Sequence, residues 1–349
     1  MKSLYIAFFV FCSSIFAQQQ DPPNIILMIG DGMGLAQITA GMYSMDTPTA
    51  LEDFPITGLS KTHSYNQFIT DSAASGTAYA CGEKTYNGVL GIDPKNNKLE
   101  SIMEYCQSKG YQSALLATSS IVHATPAAFY ANVPSRKQYQ DIALQLSESA
   151  VDFFIGGGKK HFNMREDKRN LINEMEKNDF EVVKNLDDYV ASTAKRVGLF
   201  TNNDEPQPIA MGRQPNLAPA VNATLKKLNQ KKAPFFMLVE GSQIDWGGHD
   251  NNLSYILSEF EDFNGAVAAA LTFAKEDGNT LVIVTADHET GGLSLTKGTM
   301  NKKRISGEFS TKGHSGILVP VFAFGPESES FSGIYDNTSI FKKMKALVN

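Results

Sequence analysis

The stretch Asn24–Gly34, NIILMIGDGMG, sets the terms for the whole chain. Ile25 to Ile29 form an unbroken apolar run, closed by Gly30, Asp31 and Gly32. A strand with one wet face would alternate apolar and polar residues; an unbroken run ending in a polar turn reads as a strand buried on both faces. The same form recurs at Ser113–Ser120 (SALLATSS), Val151–Gly158 (VDFFIGGG), Pro234–Asp245 (PFFMLVEGSQID), Asn279–Gly292 (NTLVIVTADHETGG) and Val319–Pro326 (VPVFAFGP). Helical patterns lie between these runs, at Leu99–Lys109, Leu217–Asn229 and Tyr255–Lys275. Strands alternating with helices give an α/β fold: a mostly parallel central β-sheet flanked by helices on both faces. The part from Lys159 to Gln214 is more polar and reads as a surface excursion with small helices. No internal repeat, low-complexity tract or second-domain boundary is visible, so residues 18–349 are expected to form a single domain.

The chain has 349 residues, 42% of them hydrophobic, enough for a substantial core. Its net charge is -6 and it has no long basic run, which argues against docked nucleic acid. Small anions stay in play, because a local metal overrides net charge. Residues 1–17, MKSLYIAFFVFCSSIFA, carry Lys2, an apolar stretch too short to span a bilayer comfortably, and Ala17 as a cleavage point. This reads as an export signal, with a periplasmic or secreted mature chain and no stable membrane anchor. Phe11 is too bulky before Cys12 for a lipidation site. Cys81 and Cys106 remain, and both are expected to be buried free thiols.

Strand exits carry the chemistry. Asp31 follows the first strand; Glu240 and Asp245 follow FFMLVE, with His249 four residues after Asp245; Asp287 and His288 end LVIVTADH; His314 precedes another strand. In parallel sheets, binding residues gather at the carboxyl ends of strands. A lone histidine in such a place is more often structural, but this many together are hard to assign to packing. Imidazole with carboxylate and no cysteine suits zinc, and the spare oxygens suit magnesium. Asp245 and His249 share one face if a helical turn forms there. One more segment stands apart: Phe68–Lys84, FITDSAASGTAYACGEK, a run of small residues behind Ser72. It reads as a closely packed helix capped by Asp71 or Ser72, or as an anion site at a helix N-terminus. A serine there needs a base or a metal to activate it.

Taken with HATPAAFYANVPSR, DFFIGGGKKHF, VEGSQIDWGGHDN, VTADHETGG and GHSG, in order along nearly all the mature chain, these segments resemble the alkaline phosphatases that use a serine nucleophile and a two-zinc, one-magnesium centre. The resemblance implies an alkaline-phosphatase-like three-layer sandwich that hydrolyses phosphate monoesters through a phosphoserine at Ser72. It implies that Asp245, His249 and His314 hold one Zn2+, that Asp31, Asp287 and His288 hold the other, and that Asp31, Thr125 and Glu240 hold Mg2+. Arg136 would clamp phosphate. Small-molecule phosphate monoesters would be its partners.

Two positions depart from the best-known bacterial form. His123 stands where that form has an aspartate near magnesium, and Trp246 where it has a lysine that reaches phosphate through water. Trp246 is expected to wall the substrate site, unless it merely packs, and His123 to tune the magnesium site from outside the ligand set. His63 and His161 receive no role. Between Gly292 and His314 the chain is short where many relatives carry an insertion, so little or no crown subdomain is expected, and a homodimer would need a different or smaller interface. The rival activities are phosphodiester hydrolysis, which needs room for a second ester group near Arg136, and binding of zinc or phosphate without catalysis.

Overall fold

A computed structural model describes residues 21–302 and 304–348. The strands are β1 (Asn24–Gly30), β2 (Ile56–Lys61), β3 (Gln112–Ser120), β4 (Phe153–Gly157), β5 (Phe180–Val183), β6 (Arg196–Phe200) and β7 (Phe235–Gly241). They continue as β8 (Thr280–Thr285), β9 (Glu289–Thr290), β10 (Leu293–Thr299), β11 (Arg304–Phe309), β12 (His314–Ser315), β13 (Val319–Phe324) and β14 (Gly333–Asp336). A 10-stranded sheet runs β14-β2-β13-β8-β1-β7-β3-β4-β6-β5. Every neighbouring pair is parallel except those of β13, which is antiparallel to both β8 and β2. β9 and β12 form a short antiparallel pair, and β10 and β11 a hairpin.

The continuous apolar runs are explained by cover on both faces. Ile25, Leu27 and Ile29 of β1 face a core shared with helices Ser72–Cys81, Ile102–Ser108 and Thr338–Lys345. Ile26 and Met28 face the opposite core, built with helices Leu217–Leu228 and Leu253–Asp277. The expected three-layer α/β sandwich is the one observed. Ser101 and Glu104 make a capping box that starts the Ile102–Ser108 helix, so its first turn lies later than the expected Leu99.

The excursion from Lys159 to Gln214 differs from expectation. It does carry short helices, at Lys160–Asn163, Leu171–Lys177 and Leu186–Ala191, but it also adds β5 and β6 to the sheet. Both are short, and β5, at the sheet's edge, exposes Glu181, so neither shows a long apolar run. In place of a crown, the β10–β11 hairpin spans the segment between Gly292 and His314. Cys81 and Cys106 are buried free thiols, and burial pushes the Cys106 thiol up to about 12. Among the described residues, no helix is long and apolar enough to cross a membrane. The export signal at residues 1–17, with Cys12, lies outside the described residues.

Candidate functional site

The order β13-β8-β1-β7-β3 sets five strand ends side by side. The four parallel ones deliver Asp287 and His288 after β8, Asp31 after β1, Glu240 in β7, and His123 and Thr125 after β3. β13 runs the other way, so the chain entering it lies at this same edge; Val321 pairs with Thr285, and His314 arrives from there. Asp245 and His249 sit one turn apart on the helix Gln243–His249, as their spacing required. Gly32, at φ +72, lets the β1 turn lie against that helix: a Cβ there would come within 2.7 Å of the Asp245 Cα.

Ligand atoms converge in three groups within 4.8 Å: Asp245, His249 and His314; Asp31, Asp287 and His288; and Asp31, His123 and Glu240. In the first, His249 Nε2 lies 3.3 Å from Asp245 Oδ2 and 3.2 Å from His314 Nε2. In the second, His288 Nε2 lies 3.1 Å from Asp287 Oδ2 and 3.6 Å from Asp31 Oδ1. Each histidine is anchored by its other nitrogen, His249 Nδ1 to the Lys312 carbonyl (2.5 Å), His314 Nδ1 to the Thr70 carbonyl (2.8 Å) and His288 Nδ1 to the Thr290 hydroxyl (3.2 Å). That is the orientation metal-ligating histidines need. The third group holds His123 itself among the candidate ligands, closer than its expected place outside them. Thr125 is fully buried, and Glu240 accepts hydrogen bonds from Ser242 (2.6 Å) and Ser119 (3.3 Å) on one oxygen only.

The electrostatics call for cations. Both Asp31 oxygens and Glu240 Oε1 are buried and accept no hydrogen bond. Burial pushes the Asp31 carboxyl well above the carboxylate range, with Asp287, Asp245 and Glu240 adding repulsion, and burial pushes Glu240 up to about 7. Burial would also raise Asp245, but the His249 hydrogen bond and the charges of His288 and His314 outweigh it and hold that carboxyl below its ordinary value. The Asp245 hydrogen bond raises His249 to about 9, whereas burial and the neighbouring His288 bring His314 down to about 4. Unpaired buried carboxylates are costly unless they coordinate a metal. The donor set of the first two groups, carboxylate with imidazole, fits zinc; the oxygens of Asp31, Thr125 and Glu240 fit magnesium.

Ser72 stands at the opening of the Ser72–Cys81 helix with its Oγ 3.4 Å from His288 Nε2. Of the two capping candidates, Asp71 takes the role: its Oδ1 accepts the Ala74 N–H at 3.0 Å. Its Oδ2 accepts the Gly88 N–H (3.0 Å) and Arg136 NH1 (3.1 Å). Arg136 NH2 lies 3.3 Å from His123 Nε2, and the His123 ring meets Trp246 edge-on at 6.3 Å. Burial and Arg136 bring His123 down to about 3. Every helix residue from Ser72 to Cys81 is buried, which explains the small side chains. His63 and His161 lie elsewhere, against Asp336 and Tyr139.

Three residues escaped the sequence reading. Glu289 is buried and its carboxylate accepts from Gln37, from the backbone of Gly292 and Leu293, and from the Ser315 hydroxyl, tying the His288 and His314 segments together. Thr290 bridges Asp245 and His288. Glu205 accepts the Ser120 N–H at 2.6 Å, bracing the β3 exit. Glu289 and Thr290 lie within VTADHETGG, and the two-residue step from His288 to Thr290 in an extended segment was the available signal.

The family model for alkaline phosphatase matches residues 23–308. Alkaline phosphatase 3 of Bacillus subtilis (strain 168) is 34% identical over 418 aligned residues, covering 94% of this chain and 90% of its own. Among solved structures, alkaline phosphatase from the Antarctic bacterium TAB5 superposes with a TM-score of 0.90 at 41% identity, covering 94% of this chain and 99% of that one. A histidine-to-glutamate mutant of the TAB5 enzyme, with Mg bound in its M3 site, superposes at 0.88 and 40% identity.

Proposed function

The chain belongs to the alkaline phosphatase family of phosphomonoesterases, and we propose that it is an exported, metal-dependent member that works through a phosphoserine at Ser72. The observation that carries this reading is the 3.4 Å approach of Ser72 Oγ, at a helix N-terminus, to His288 Nε2, itself a member of the Asp31, Asp287 and His288 group. Asp245, His249 and His314 would hold one zinc, Asp31, Asp287 and His288 the other, and Asp31 and Glu240, with Thr125, a magnesium beside His123. When bound, such metals supply Lewis acidity, lowering the pKa of a hydroxyl or water and neutralising charge on the oxygens around phosphorus.

The chain's own residues do the rest. Arg136, held in place by Asp71, presents its fork of N–H donors to two phosphate oxygens. The helix N-terminus behind Ser72 favours the same anion. Ser72 Oγ gives up its proton and attacks phosphorus as the alcohol oxygen departs opposite it and takes a proton up; water then attacks the phosphoserine, and a proton it loses restores the Ser72 hydroxyl as Oγ leaves, so phosphorus is inverted twice and configuration is retained. Trp246, beside His123, walls the pocket. A homodimer of this chain would have to form without a crown, because the described residues between Gly292 and His314 are built around a hairpin.

Release of phosphate from an aryl phosphate, measured for the mature chain with zinc and magnesium beside Ser72→Ala, tests the reading. The expected result is a loss of several orders of magnitude in kcat for the variant, as happens when a serine nucleophile is removed. Activity should also be lost on chelation, and a phosphoserine at residue 72 should be trapped at acid pH. Activity nearly unchanged in Ser72→Ala would remove the covalent route.

A further inference from the structure

We propose that Thr290 is a positioning residue that couples the two candidate zinc groups and sets the tautomer of His288. The inference rests on reading those groups as metal sites. Thr290 is fully buried, and its Oγ1 lies 2.5 Å from Asp245 Oδ1 and 3.2 Å from His288 Nδ1. A hydroxyl has one proton to give, and an ionised carboxylate only accepts. The proton therefore goes to Asp245, and the hydroxyl oxygen accepts from His288 Nδ1–H. That order leaves the lone pair on Nε2, the atom facing Ser72, Asp31 and Asp287. One ordered chain, His288 Nδ1–H to Thr290 to Asp245, thus runs from one group to the other.

The backbone fixes this residue against every neighbouring ligand segment. Its N–H donates to the Gly32 carbonyl (3.2 Å), next to Asp31, and its carbonyl accepts from Gln37 (2.8 Å). It pairs across the short strand with His314. Gly248, one residue before His249, lies so close that a Cβ there would come within 2.9 Å of the Thr290 Cβ. Burial alone would be met by valine, which has the same shape without the hydroxyl. The two hydrogen bonds to opposite groups are what valine lacks.

The test is competition of the full mature chain with a chromophoric chelator for zinc, giving the stepwise affinities of wild type, Thr290→Val and Thr290→Ser. Loss of a group that orients metal ligands weakens metal binding about 10-fold to 100-fold. Thr290→Val should weaken both zinc steps by about 10-fold or more, while Thr290→Ser stays near wild type. Weakening of one step alone, or of neither, in a wild type that binds two zinc ions would overturn the coupling. A wild type that binds no zinc would instead bring down the metal reading beneath it. Independently of how the variants fold, nitrogen NMR of labelled histidine in the wild-type chain should show His288 protonated at Nδ1; an Nε2–H tautomer would overturn the proposal.

Discussion

Arg213→Met should destabilise the protein by about 3–5 kcal/mol, the penalty for breaking one side of a buried ion pair. Arg213 is 3% exposed, and its guanidinium meets Glu259 at 2.6 Å and Asp262 at 2.9 Å, carboxylates that are 2% and 4% exposed. Removing the cation strands two anions on the long helix Leu253–Asp277. Neither is left bare: Glu259 keeps the Ile209 N–H at 2.8 Å and Asp262 keeps the Leu217 N–H at 3.1 Å. Those retained bonds hold the expected loss within that range and keep it from doubling. With a urea slope of about 3 kcal/mol/M, the unfolding midpoint followed by circular dichroism should fall by about 1 M or more. Placing Arg213→Met in a Glu259→Gln, Asp262→Asn background should make its effect much smaller, because no stranded charge remains. A loss below about 1 kcal/mol in the single variant would refute the reasoning, since it would mean that water or another cation reaches those carboxylates. The same staple holds the segment whose Glu205 and Pro206 brace Ser120 and Gln243, so binding at the Asp31, Thr125 and Glu240 group should weaken in this variant before the fold is lost.

Two further outcomes follow from the site and its surroundings. Replacing His123 by aspartate and Trp246 by lysine should strengthen the magnesium dependence of activity and change inhibition by phosphate, because His123 contacts Arg136 and stands beside the candidate oxygen ligands Asp31 and Glu240; a titration showing neither change would refute the assignment. Asp336 lies 3.1 Å from Lys84 and 3.2 Å from His63; burial works against its charge, but Lys84 outweighs burial and holds the carboxyl below its ordinary value. A lowered folded pKa stabilises above the unfolded value, about 3.9, and this contribution fades as pH falls through the folded one. Melting temperatures of wild type and Asp336→Asn should therefore differ at pH 7 and converge below about pH 4; a gap independent of pH would count against the ion pair.

Central strands were legible because burial on both faces removes polar alternation, as in Ile25–Ile29. β5 and β6 were not, because a short strand near an edge needs few apolar residues and exposes some, as Glu181 shows. β13's direction was equally hidden: its composition matches that of the sheet's parallel strands, and the pairing of Val321 with Thr285 reveals the reversal. The candidate ligand residues stood out because strand exits are where polar side chains interrupt apolar runs. Thr290, Glu289 and Glu205 did not, because what distinguishes them is partners far along the chain. Asp245 is 45 residues from Thr290, Ser120 is 85 from Glu205 and Gln37 is 252 from Glu289. No local pattern encodes such a pairing.

The reversed strand also fixes when the site can exist. Asp31 emerges early in synthesis, yet the group it shares with Asp287 and His288 waits for β8, and the other carboxylate–imidazole group waits for His314, just ahead of β13. Chains are made from the N-terminus and fold as units when their parts are present. A nascent chain stopped short of β8 holds neither carboxylate–imidazole group, and one stopped before His314 lacks the other. Assembly of both candidate groups thus belongs to a chain that has been made as far as His314, and a product truncated before it lacks the Asp245, His249 and His314 group.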